Sequence, residues 1–285
     1  MGIIPLMGTS ERLQALGSIT QTFTATPKMP VLFIGHGSPM NAIEENEFVQ
    51  GFRNIASTLP QPQAILCISA HWETKGTRVT AMQMPKTIHD FGGFPKELYE
   101  VQYPAPGSPE LAKIVTSMVD KTQILCDDSW GLDHGAWSVI RQMYPQANIP
   151  VIQMSIDYSA SPEQHYEIGK QLSALRKKGV LIIGSGNIVH NLRLVDWNNF
   201  DKDNYAYEWA QEASNKIKTF ITENNHKAII DFRKMGKAFD LAIPTPEHYI
   251  PLIYSLSLQD KGDQIDFFND KAIAGSLTMT SLKLS

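Results

Sequence analysis

Three apolar runs that each deliver a histidine constrain this chain more than any other feature. Val31-Leu32-Phe33-Ile34 stops at Gly35-His36-Gly37-Ser38-Pro39, residues 64–70 run into His71, and Val180-Leu181-Ile182-Ile183 passes through Gly184-Ser185-Gly186-Asn187 towards His190. Short apolar runs bounded by Gly and Pro read as buried strands. In open α/β sheets the carboxyl ends of such strands are where ligands bind. One histidine there fits an ordinary turn; eight histidines scattered at random would rarely mark three strand ends. Neutral imidazole is also the commonest protein ligand for a transition metal, so the pattern points to a metal site.

The rest of the chain alternates strands with helices. Residues 44–58 carry Phe48, Phe52, Ile55 and Ala56 at helical spacing, and 78–82 and 122–126 read as further short strands. Ser108-Pro109-Glu110 and Ser161-Pro162-Glu163 are helix starts by their N-cap serine and first-turn proline, predicting helices to about 120 and to 178. A helix is expected behind His134 over 136–144, a strand over 149–156, and a long amphipathic helix over 203–223. Thr245-Pro246-Glu247-His248 looks like a capped entry with His248 in the first helical turn, and 273–284 reads as a closing strand or hairpin. This order predicts a single three-layer α/β/α domain with a largely parallel or mixed central sheet. It spans residues 29–285, preceded by a mobile N-terminal extension over 1–28. The segment 84–107, rich in Pro, Gly and aromatics, is either a binding loop or a rigid loop with its own aromatic packing.

Composition excludes several partners and chemistries. A net charge of −4 leaves no basic footprint for nucleic acid. No apolar run approaches the roughly 20 residues of a membrane span, and no signal-peptide pattern opens the chain. Cys67 and Cys126 each follow apolar residues and read as small buried hydrophobes in a reducing, cytoplasmic compartment. With no Cys-x-x-Cys pair a thiolate zinc site is out. His-Glu-x-x-His, the Gly-x-Ser-x-Gly elbow and the phosphate loop are absent, and Gly184-Ser185-Gly186 lacks the third glycine of a dinucleotide site. What remains is a site of His36, His71, His190 and His248, with His134 close by. Its nitrogen-rich donors suit Fe(II) or Zn(II). His165 and His226 fall in polar helical contexts and read as solvated.

The motifs Gly35-His36-Gly37-Ser38-Pro39, Ser69-Ala70-His71-Trp72-Glu73-Thr74, Ile88-His89-Asp90-Phe91-Gly92-Gly93-Phe94-Pro95, Gly131-Leu132-Asp133-His134-Gly135-Ala136-Trp137, Val189-His190-Asn191-Leu192 and Pro246-Glu247-His248-Tyr249 occur in this order. Together they resemble the class III extradiol ring-cleavage dioxygenases, in the 4,5-DOPA dioxygenase branch. The resemblance implies insertion of both atoms of O2 into a catechol. It implies a metal held by His36, His71 and His248, with Fe(II) for turnover and Zn(II) as an alternative occupant. His190 is then a fourth ligand or the acid/base, and His134 a further catalytic group. Protocatechuate-type relatives use a carboxylate as third ligand. Here Glu247 and His248 are adjacent, and helix neighbours point about 100° apart, so His248 is taken as the ligand and Glu247 as its support. Asp133 is the expected partner of His134. Phe91, Phe94, Tyr99 and Tyr103 are placed to cover a flat ring, and His89 lines the pocket or caps its loop. A zinc-dependent hydrolase and a metal-free binding protein on the same scaffold are the competing readings. Neither the particular catechol nor the number of subunits follows from the sequence.

Overall fold

The computed structural model describes Gly17, residues 23–120 and residues 122–285. Eight strands form one mixed sheet in the order β4-β3-β5-β2-β6-β1-β10-β7. They are β1 (Val31–Gly35), β2 (Ala64–Thr74), β3 (Arg78–Thr80), β4 (Leu125–Asp127), β5 (Val151–Asp157), β6 (Val180–Gly186), β7 (Ile265–Phe268) and β10 (Ser281–Leu284). Two short strands, β8 (Ala272–Ile273) and β9 (Leu277–Thr278), pair apart from the main sheet. Strands β5, β2, β6 and β1 are mutually parallel, and antiparallel contacts appear only towards the edges, at β3–β5, β1–β10 and β10–β7.

The period of two in the strands sorts their side chains into two cores. Val31 and Phe33, Leu66 and Ile68, Val180 and Ile182 face one layer. Leu32 and Ile34, Ile65 and Cys67, Leu181 and Ile183 face the other. The second core is covered by helix α1 (Glu47–Ser57), through Phe52, and by α4 (His134–Met143), through Trp137 and Ile140; the short helix α2 (Lys96–Tyr99) adds Leu98. The first is covered by α3 (Pro109–Met118), α5 (Pro162–Gln171), α6 (Glu208–Thr222) and α9 (Ile250–Ser257), with the short helices α7 (His226–Ile230) and α8 (Lys237–Ala242) beyond them. Three layers therefore follow from the alternation itself.

Local signals place the helix starts well. Ser108 accepts from Leu111 N, and Ser161 with Gln164 closes a reciprocal capping box, each followed by proline in the first turn. Tertiary packing overrides the sequence reading elsewhere. Helix α5 ends at Gln171 and continues as a 3-10 turn over Ser173–Lys178. Helix α9 begins only at Ile250, so His248 lies in the turn before it and not in a first helical turn. Strand β7, absent from the sequence reading, extends the sheet by pairing with β10. Cys126 is exposed, because the edge strand β4 turns it outward. His165 is buried, not solvated, with its Nδ1 3.1 Å from the Tyr254 hydroxyl. His226 is half-buried between Tyr166 and Gln259.

Of the expected N-terminal extension, residues 1–22 other than Gly17 lie outside the described residues. Residues 23–28 pack on the domain: Phe23 is buried, Thr24 bonds Gln63, and Thr26 N donates to Lys177 O at 3.2 Å.

Candidate active site

The neighbouring strands β2, β6 and β1 bring their carboxyl ends to one place, and a histidine stands at or just beyond each. His36 follows β1 directly and is buried. His71 sits in an irregular stretch of β2: the β2–β5 register runs to Ile68↔Met154 and resumes only at Glu73↔Ile156. The extra residues bulge from the ladder and re-aim the His71 ring. His248 is held by its main chain, whose carbonyl accepts Asn187 N at 2.9 Å. That approach requires Gly186, where a Cβ would lie 2.1 Å from His248 O. Gly135 is needed for a similar reason: a Cβ there would stand 2.6 Å from Ser69 Oγ and 2.8 Å from the His71 ring.

The ring centroids of His36, His71 and His248 form a nearly equilateral triangle with sides of 5.0, 5.0 and 5.3 Å. One nitrogen from each lies within 4.8 Å of the others. The hydrogen bonds determine which nitrogens carry protons. Ser185 Oγ donates to Gly135 O at 2.5 Å, so its contact with His36 Nδ1 at 3.0 Å must receive a proton from the ring. His71 Nδ1 lies 3.3 Å from Asp90 Oδ2, and His248 Nδ1 lies 3.1 Å from Glu247 Oε1. A carboxylate only accepts, so the His248 ring carries its proton on Nδ1, and the Asp90 charge near His71 Nδ1 favours the proton there too. His36 and His248 then each keep a lone pair on Nε2.

His36 Nε2 and His71 Nε2 face each other at 3.1 Å. Such an approach needs a positive centre between them, either one shared proton or a cation. Two nitrogens about 2.0–2.1 Å from one ion stand roughly 2.9–3.4 Å apart, depending on the angle they subtend. The donors thus fit a divalent metal. Burial, reinforced by the neighbouring imidazoles, holds His36 and His248 well below the usual histidine range, and His71 is pushed down to about 3, chiefly by burial. Neutral rings are what metal ligation needs.

His190 is packed differently. Its ring lies parallel to that of His248, with centroids 3.5 Å apart and 9° between planes. One of its nitrogens groups with Glu247 and His248, but His190 is not part of the group formed by His36, His71 and His248. Burial lowers the His190 pKa to about 4 against the raising influence of Glu247.

His134 begins α4 and its Nδ1 lies 3.0 Å from Asp90 Oδ2. Its carboxylate partner is therefore Asp90, not Asp133. Asp133 caps α4 through Ala136 N, accepts the Ser69 hydroxyl at 2.7 Å, and bonds Gln153. Since Ser69 Oγ in turn accepts His71 N at 3.2 Å, Asp133 supports the bulge from beneath.

The aromatic loop reaches this cluster through Phe91, whose ring is 5.6 Å from His134, 5.4 Å from Phe94 and 5.1 Å from Tyr99. His89 ties its Nε2 to Val101 O at 3.0 Å and packs against Trp137, which makes it part of the loop's own scaffold. Tyr103 is buried and donates to Tyr144 O, so it does not face a substrate ring. Two cavities, of about 600 and 160 Å³, lie around α6 and are lined by none of the site histidines. Asp90 and Ser185 carry no signal of their own in the sequence: Asp90 stands between His89 and Phe91 in the Ile88–Pro95 motif, and Ser185 lies in the Gly184-Ser185-Gly186 stretch.

Comparison with known proteins decides the family. The model of the catalytic LigB subunit of aromatic ring-opening dioxygenases matches residues 26–263. The chain belongs to that family. It is 43% identical over 265 residues to a 4,5-DOPA dioxygenase extradiol of Escherichia coli K12, covering 91% of this chain and 96% of the relative. A 4,5-DOPA dioxygenase extradiol of Beta vulgaris is 34% identical, covering 89% and 95%. The crystal structure of an uncharacterized Escherichia coli K12 protein superposes with a TM-score of 0.78 at 39% identity, over 90% of this chain and all of that one. This LigB-family protein is thus an extradiol ring-cleaving dioxygenase, which sets aside the hydrolase and the metal-free binding protein. Among the described residues no helix is long and apolar enough to cross a membrane.

Proposed function

We propose that this dioxygenase opens the ring of a catechol of the 4,5-DOPA type, with one divalent metal held by His36, His71 and His248. The observation that carries the ligand assignment is the convergence of one ring nitrogen each from His36, His71 and His248, with Ser185, Asp90 and Glu247 beside their Nδ1 atoms. Fe(II), when bound, supplies the electron transfer that O2 activation requires and open positions for both catechol oxygens, whereas Zn(II) has no redox chemistry. Zinc competes well for nitrogen sites and is the expected contaminant of purified protein.

The chain's own residues handle protons and water. His190, neutral and stacked on the His248 ring, is the base that takes a catechol proton, and its place outside the His36, His71 and His248 group argues against a fourth-ligand role. His134, protonated on Nδ1 by its bond to Asp90, keeps Nε2 free to accept a hydrogen bond from the substrate. Phe91, with Phe94 and Tyr99 around it, covers the flat ring and excludes water from the reacting centre. The names of the Escherichia coli and Beta vulgaris relatives support DOPA as the first substrate to try. Two free cysteines, one of them exposed, support a reducing cytoplasmic location.

Apoprotein reconstituted with Fe(II) should consume O2 and form a coloured ring-opened product from DOPA in air, while Zn(II)-loaded protein should not. Equal turnover with zinc alone would sink the reading. His190→Gln should keep its metal and lose about 10²–10⁴ in kcat, the usual worth of a positioned base. Loss of metal from that variant would make His190 a ligand.

A further inference from the structure

We propose that Asp90 is the positioning residue that couples the aromatic loop to the metal site. This rests on the reading that His36, His71 and His248 hold the metal. The Asp90 carboxylate takes two hydrogen bonds from His134 and stands within ion-pair distance of His71, so it touches two elements. Oδ1 accepts His134 N at 2.9 Å, at the first turn of α4, while Oδ2 lies 3.0 Å from His134 Nδ1 and 3.3 Å from His71 Nδ1. The His71 and His134 rings, 3.9 Å apart at 52°, are in direct contact on either side of this oxygen.

Two consequences follow. The carboxylate commits the His134 ring to the Nδ1–H tautomer and by its charge favours the proton on His71 Nδ1, which leaves Nε2 of His71 for the metal and Nε2 of His134 for substrate. It also belongs to the loop: Asp90 lies between His89, packed on Trp137, and Phe91, packed on His134, Phe94 and Tyr99. A cation on His71 Nε2 draws electron density from the ring and makes Nδ1–H a stronger donor to Asp90. Metal loading therefore holds the loop against β2, at His71, beside its hydrogen bonds to α4. By linkage, an ordered loop raises the affinity for metal by the same factor.

Asp90→Asn separates the carboxylate from the shape of the side chain, because one acceptor becomes an amide donor that faces a ring nitrogen. Zn(II) affinity, measured by competition with a chromophoric chelator, should fall about 10- to 100-fold, the usual effect of losing such an outer partner. Hydrogen exchange of residues 87–99 should slow when Zn(II) is added to the wild type, and this slowing should vanish in the variant while the melting temperature of the apoprotein stays near wild type. Phe94→Leu, which loosens loop packing but keeps the carboxylate, should lose no more than about threefold in Zn(II) affinity, well short of the Asp90→Asn loss. An Asp90→Asn protein with affinity within threefold of wild type overturns the proposal. So does a Phe94→Leu protein that loses as much affinity as Asp90→Asn. His36→Ala serves as the reference: if it still binds one Zn(II) tightly, the metal-site reading fails and takes this inference with it. If it loses zinc while Asp90→Asn does not, the Asp90 assignment alone fails.

Discussion

At the amino end of β1 the protein buries Arg176 completely, and at the carboxyl end of the same strand it buries His36. The arginine leaves little unanswered. Its Nε donates to Met29 O at 2.8 Å, Nη1 to Leu258 O and Asp263 Oδ2 at 2.7 Å each, and Nη2 reaches Asp263 Oδ1 and Leu284 O. The aspartate also accepts Lys28 and Asp260 N. These contacts tie the start of β1 to the end of β10. His36 has one ring nitrogen satisfied by Ser185 and the other aimed at a second ring nitrogen, His71 Nε2, 3.1 Å away. Both ends are equally buried, yet only one is saturated. Polar groups that stabilise a fold are given all their partners, while groups that bind something are left one short.

The sharpest way to break this comparison is to remove the saturated charge. Arg176→Met should cost about 3–5 kcal/mol of folding stability, because it breaks a buried ion pair and strips Met29 O, Leu258 O and Asp263 of their guanidinium donors while Asp263 keeps Lys28. Urea unfolding measures the loss, and metal content per folded molecule should not change. A next-largest effect is expected at the other end. Chelator treatment of the metal-loaded wild type should lower its stability by about 2.7 kcal/mol for metal at 100 times its Kd, while His36→Ala should show no response. If both proteins respond alike, the unsatisfied nitrogens do not hold the ion.

Smaller effects probe the loop and the protons. Phe91→Ala should raise KM for the catechol about 2- to 10-fold, the worth of an aromatic contact of roughly 0.5–1.5 kcal/mol, with little change in melting temperature. A melting drop as large as that of Arg176→Met would make Phe91 part of the core. The smallest step concerns pH. His71 is held at about 3 and His190 at about 4 in the folded apoprotein, against about 6.5 when unfolded. The unfolded chain therefore binds more protons as pH falls below neutrality, and stability drops. Each such histidine should remove about 0.7 kcal/mol between pH 7 and pH 6, continuing down to its folded value. His165, also lowered to about 4 by burial, adds to the fall without touching the site. Substituting His165 should then flatten the pH dependence of stability and leave that of metal binding intact.

Much of this protein was determined by its sequence alone. Alternating apolar residues in the strands, the caps at Ser108 and Ser161, and histidines after three apolar runs are local patterns, read over a few residues, and the three layers and the strand-end site follow from them. The ordered motifs likewise marked the family. What only the tertiary structure decided lies in contacts between distant residues. Ser185 chooses the His36 tautomer across 149 positions, and Asp90 chooses that of His134 across 44. His190 lies flat against His248 because β6 and the turn before α9 meet there, which no spacing in the chain announces. The burial of His165 and the exposure of Cys126 went the other way from their local context for the same reason. A side chain's neighbours along the sequence set its backbone conformation. Its partners in space, brought by packing, set its proton, its orientation and hence its role.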